Sequence, residues 1–159
     1  MTCPRIAVFG AGSRVMRDER VGIAVLEALA LRPLPPNLTL RETGTDGYGL
    51  VNDLEDADLA IIVDCADMGM APGTVRVFGP DEVESTVHDR RLSMHSVNLL
   101  GVVQLAQTLG HKATIRIVGI QPQVVDMGEE LSEVVAAAVP QAVALVEREI
   151  AAAVNHQTE

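Results

Sequence analysis

Apolar residues fall into short runs separated by stretches rich in glycine, proline and charge. Arg5–Phe9 (RIAVF) is an apolar run that stops at Gly10, which suits a buried strand. A polar loop follows from Gly10 to Arg20. Val21, Val25, Ala28 and Leu29 then recur at i, i+4, i+7 and i+8, one face of a helix over Val21–Leu31 that Pro33, Pro35 and Pro36 end. Leu38, Leu40 and Glu42 alternate with Thr39 and Arg41 as a second strand, closed by a turn punctuated by Gly44, Gly47 and Gly49. Leu59–Val63 is apolar at every position, as a strand covered on both faces is. After a loop from Asp64 to Gly73, Val75 and Val77 mark a strand of period two. Ser96–Leu109 has helical periodicity and stops at Gly110, and Ile115, Ile117 and Val118 mark another strand. Ser132–Val154 predicts a helix rich in Ala and Val, kinked or split at Pro140.

Strands alternating with helices predict a three-layer α/β fold with a twisted, mostly parallel five-stranded sheet between helices. No repeat or linker interrupts it, so residues 1–159 are expected to form a single domain. Ligands of open α/β sheets bind outside the carboxyl ends of the strands. That rule singles out the loops Gly10–Arg20, Glu42–Gly49, Asp64–Gly73 and Gly119–Gly128, with the approach to the helix at Ser96.

Composition narrows the function. Of the 159 residues, 48% are hydrophobic, enough for one core, and that core is aliphatic because only Phe9, Phe78 and Tyr48 are aromatic. With 12 Lys+Arg against 22 Asp+Glu the formal charge is −10, which argues against a nucleic-acid partner. No apolar run approaches the roughly 18 residues of a membrane span, and Met1–Phe9 reads as a first strand, not a signal peptide. Cys3 and Cys65 make no disulfide framework, and a reduced, cytoplasmic protein is expected.

Three side chains carry the candidate chemistry. Asp64 ends an all-apolar strand, where a carboxylate is expensive unless paired, hydrogen-bonded or metal-bound; an Asx turn is the plainer alternative. Glu19 and Asp18 precede a helix, where acids favour the macrodipole and cap free amides, and capping is the expected role of Asp18. His95 begins a helical segment and is either a cap or a ligand. His88, His111 and His156 lie in poorer settings, and Cys65 reads as a small buried hydrophobe. Gly10-Ala11-Gly12 invites a dinucleotide reading, but Val15 stands at the fingerprint's third glycine and Asp18 and Glu19 would repel a pyrophosphate. Two carboxylates and an imidazole would suit a borderline divalent transition metal with positions left open.

Read together, these residues resemble the NiFe-hydrogenase maturation endopeptidases from Arg5 to about Val146. Five short motifs occur in order. They are Gly10-Ala11-Gly12-Ser13 with Asp18-Glu19-Arg20-Val21-Gly22, then Glu42 to Gly47, then Asp64 to Gly69 with Pro72-Gly73, then Ser93-Met94-His95, and finally Gly119-Ile120-Gln121-Pro122. The third and fifth are most similar to the branch serving formate-hydrogenlyase-type hydrogenases. The resemblance implies an aspartic-type or metal-dependent hydrolase that removes the C-terminal extension of a large-subunit precursor after nickel insertion. Glu19, Asp64 and His95 fall on its metal-contacting and catalytic positions. The nickel belongs to the substrate, and another divalent ion is expected to replace it in crystals. A non-catalytic nickel metallochaperone and a nucleotide-binding module are the competing classes. Two departures stand out: Ser13 replaces an asparagine, and Arg20 replaces a glycine, which costs backbone energy if that glycine had a positive φ.

Overall fold

The structure is a computed structural model that describes residues 3–43, 49–86 and 94–156, with the backbone alone for Glu84 and 94–100. Strands β1 (Ile6–Ala11), β2 (Leu38–Thr43), β3 (Leu59–Cys65), β4 (Val75–Phe78) and β5 (Thr114–Ile120) form one five-stranded sheet in the order β2-β1-β3-β5-β4. All pairings are parallel except that of edge strand β4 with β5. The helices are α1 (Val21–Ala30), α2 (Gly49–Glu55), α3 (Val83–Thr86), α4 (Met94–Thr108) and α5 (Glu133–His156). The expected three-layer α/β architecture is what forms.

Every residue of β3 is buried, which is why its sequence lacks the usual alternation. Ile61, Val63 and Cys65 pack on one face with Val21 and Val25 of α1 and Val143 and Val146 of α5. Ala60 and Ile62, on the other face, pack with Leu50 and Leu54 of α2 and Val102 and Val103 of α4. Three local expectations shift. Helix α2 emerges at Gly49, where only a turn was predicted, because Leu50 and Leu54 at i, i+4 supply a buried stripe. Helix α4 begins at Met94, two residues before the predicted start. Helix α5 runs unsplit through Pro140, whose exposed position lets the ring face solvent.

One crossing sets how closely the first layer sits on the sheet. A Cβ on Gly22, in the first turn of α1, would stand 2.4 Å from the Val63 carbonyl oxygen and 2.6 Å from that of Ala11. A Cβ on Gly10 would meet the Gly22 carbonyl oxygen at 2.6 Å. Helix α1 therefore rests directly on the backbones of β1 and β3. Gly12 has φ +129, and its Cβ would lie 2.0 Å from the Glu19 carbonyl oxygen. The Gly-x-Gly backbone is thus covered by the chain's own next turn, which leaves no cradle for a pyrophosphate and removes the physical basis of the nucleotide-binding alternative. Among the described residues no helix is long and apolar enough to cross a membrane.

Gly22→Ala should lower stability by about 3 kcal/mol or more, because two backbone oxygens cannot move aside as a side chain can. Urea unfolding monitored by circular dichroism measures it.

Candidate functional site

The strand order reverses between β1 and β3, since β2 lies outside β1 while β5 and β4 lie beyond β3. Crevices form at such switch points, outside the carboxyl ends of the strands. Asp64 stands there. It does not begin the loop, as expected from the sequence, but extends β3 by pairing with Gly119, and it is 1% exposed. Alternation with Ile62 puts its side chain on the α2/α4 face of the sheet.

Glu19 approaches from the neighbouring strand. Gly10 of β1 is in register with Val63, so the chain leaves β1 beside Asp64 and closes with the Glu19 carbonyl against Gly12. Glu19 lies in a 3-10 turn, Arg17–Arg20, and is half-buried. Its charge and that of Asp64 both reach Cys65: burial pushes this thiol's pKa well up, and Asp64, Glu19, Asp18 and Asp67 push in the same direction. Cys65 is otherwise the buried small hydrophobe expected. His95 is the second residue of α4, the helix whose Val102 and Val103 cover the sheet face that Asp64 shares. Because α4 leads into β5, which is parallel to β3, its first turn lies at the carboxyl end of the sheet. The backbone thus brings all three positions to one end of the sheet. The His95 side chain lies outside the described residues, as does all of His88. Among the described side chains no cluster of three metal-ligating groups forms.

Asp18 does not cap the following helix. It is fully buried, and its carboxylate accepts four hydrogen bonds from the far end of the chain: from the amides of Gln123 (2.9 Å), Val124 (2.7 Å) and Ser132 (2.7 Å) and from the Ser132 hydroxyl (2.8 Å). Burial alone would raise its pKa, but these donors outweigh burial and hold the carboxyl below its usual range. Asp18 therefore locks the Glu19 turn to the loop between β5 and α5. The two departures from the family pattern are accommodated by the local backbone. The Ser13 hydroxyl accepts the Val15 amide at 3.3 Å, and Arg20 has an ordinary φ of −75. The positive φ belongs instead to Arg17, at 45, which is held by its amide on the Gly128 carbonyl and its Nε on that of Glu130.

Residues 23–149 match the family model described as hydrogenase maturation protease. The chain belongs to the hydrogenase maturation protease family. It is 34% identical over 140 residues to the hydrogenase expression/formation protein HoxM of Azotobacter vinelandii, covering 86% of this chain and 68% of that one. It is 30% identical to the hydrogenase 2 maturation protease of Escherichia coli over 75% of this chain and 74% of the relative. The structure of the hydrogenase maturating endopeptidase HybD from E. coli superposes with a TM-score of 0.81 at 29% identity, covering 89% of each chain. The hydrogenase 3 maturation protease structure shares the fold at 21% identity and a TM-score of 0.72.

In this maturation protease Gln121 does work that no local sequence signal announces. Buried just past β5, its side-chain oxygen accepts the amides of Met68 (2.6 Å) and Met70 (3.3 Å), and its Nε2 donates to Asp67 Oδ1 (2.9 Å). The same Asp67 oxygen accepts the Gly69 amide at 3.0 Å, where Gly69 turns with φ +67. The loop that follows Asp64 is therefore wrapped around one amide group. It buries Met68 while leaving Met70 partly exposed.

Asp18→Asn should cost about 2–4 kcal/mol at pH 7, since an amide cannot accept from all four donors. Because the folded pKa lies below the unfolded value near 3.9, Asp18 stabilises fully above that value and loses its contribution as pH falls through the folded pKa. Denaturant unfolding at pH 7 and pH 3 should show a shallower acid loss in Asp18→Asn than in the wild type.

Proposed function

We propose that this chain is an endopeptidase that removes the C-terminal extension of a NiFe-hydrogenase large-subunit precursor in the cytoplasm after nickel insertion. Glu19, Asp64 and His95 read the nickel that the substrate carries. Family membership supports the peptidase activity. The observation that supports the role of these residues is the placement of Asp64 inside β3, buried at the carboxyl end of the sheet, the end at which the Glu19 turn and α4 also lie.

Two carboxylates and a neutral imidazole leave positions on a divalent ion for groups of the precursor, so the substrate's own metal can be held between the two molecules. Hydrolysis needs a water oxygen on the scissile carbonyl carbon and a proton on the departing amine. Asp64, buried at the carboxyl end of β3, takes the water's proton in this reading and returns it to the amine nitrogen. Held by Glu19, Asp64 and His95, the substrate's nickel would align the precursor. This makes the peptidase aspartic in its proton transfer and metal-dependent in its recognition.

Mixing the protein with nickel-loaded and nickel-free precursor and following the size change by electrophoresis tests the reading. Loaded precursor should shorten and nickel-free precursor should not. Equal cleavage of both contradicts nickel reading, while stoichiometric nickel uptake by the isolated protein without cleavage would mark a metallochaperone instead. Asp64→Asn should retain the fold and lose about 100-fold or more in cleavage rate, because an amide is a poor ligand and no base.

A further inference from the structure

The loop between β5 and α5 is held far more firmly than its surface position requires. Asp18 clamps it at Gln123, Val124 and Ser132. The Arg17 guanidinium holds the Glu130 carbonyl at 3.2 Å, and that of Arg20 holds the Glu129 carbonyl at 3.0 Å. An isolated parallel bridge joins Met16 to Gly128, with the Gly128 amide on the Val15 carbonyl at 2.9 Å. Gly128 has φ +153, and a Cβ there would collide with Arg17 Cγ at 2.8 Å, so the Arg17 side chain packs directly on the glycine backbone. At the apex of this rigid frame stands Met127, 85% exposed, and the bridge register puts Val15, 53% exposed, next to it. Val15 and Met127 thus form an adjacent exposed apolar pair on a clamped loop, and a pre-ordered apolar pair of this kind loses little freedom when another surface buries it.

We propose that Val15 and Met127 form the docking anchor for the folded body of the large-subunit precursor, seated in an apolar socket ringed by basic residues. The proposal rests on the endopeptidase reading above. Two observations choose this occupant. The anchor adjoins the site, since the Glu19 amide bonds the Met16 carbonyl at 3.2 Å, so a body seated on it brings its metal toward Glu19. The flank is acidic: Glu129, Glu130 and Glu133 are exposed, with no salt bridge among the described residues. The nearby cations are already engaged, Arg14 with Glu27 and Glu42, Arg17 with Asp126, and Arg20 with Glu27. A second copy of this chain would set the same acidic flank, and a charge of −10, against itself.

Steady-state cleavage of nickel-loaded precursor by Met127→Glu, Val15→Glu and Met127→Leu provides the test. Each glutamate should lower kcat/KM by about tenfold or more with kcat at saturation within about twofold, and Met127→Leu should stay near wild type. Raising salt should increase KM for the wild type. Because both side chains are exposed, thermal unfolding of the variants should match the wild type, and a variant that melts early is replaced in the comparison by the other. Unchanged kcat/KM in both glutamate variants would overturn the anchor, as would a wild-type dimer in sedimentation that the substitutions dissociate. Failure of the wild type to cleave any loaded precursor would overturn the endopeptidase reading itself.

Discussion

A single buried carboxylate ties the site together. Asp18 gathers three amides and a hydroxyl from residues more than a hundred positions away. Without it the buried amide and hydroxyl of Ser132 would lose this partner, at about 1–3 kcal/mol apiece. The charge is tolerated because its acceptor capacity is filled, the condition under which a buried ion stabilises instead of costing. Asp18 is also the residue before Glu19. Locking one fixes the other's backbone, so the same hydrogen bonds that close the domain set where one candidate ligand stands.

The opposite side of the crevice is organised in a parallel way. Gln121, three residues after Val118 in β5, holds the loop after Asp64 with one side-chain amide, much as Asp18 holds the loop after Gln121. The loops after β1, β3 and β5 are thus fastened to one another, not to solvent. Only small residues allow that closeness: Gly10 and Gly22 bring α1 onto the strands, and Gly12 admits the Glu19 carbonyl. Preorganisation of this kind would hold the proposed ligands Glu19 and Asp64 in place for an ion that arrives on another molecule.

Much of this was legible in the chain before folding. The unbroken apolar run Leu59–Val63 marked the central strand, and alternation of strands with helices gave the layers and pointed to the carboxyl ends. Glu19, Asp64 and His95 stood out as candidates because a polar group beside an apolar strand or at a helix start needs a reason, and it was the resemblance to the maturation endopeptidases that joined them into one set. What local pattern did not carry was tertiary. Asp18 looked like a cap since its real donors lie in another loop. Asp64 read as the start of a loop because periodicity cannot see the Gly119 partner that continues the ladder. Arg20 looked costly, whereas the positive φ falls at Arg17, where Gly128 makes room for it. Gln121 drew notice only as part of a resemblance, since its partners are amides of a distant loop.

The central claim is that Glu19, Asp64 and His95 meet around one divalent ion. Anomalous diffraction from crystals soaked separately with nickel and cadmium tests it most directly. The account predicts one dominant peak at the carboxyl end of β3, with a carboxylate oxygen of Glu19, one of Asp64 and a ring nitrogen of His95 within about 2.0–2.5 Å. A dominant peak bound by other residues, or one that any of these three side chains cannot reach, would contradict it.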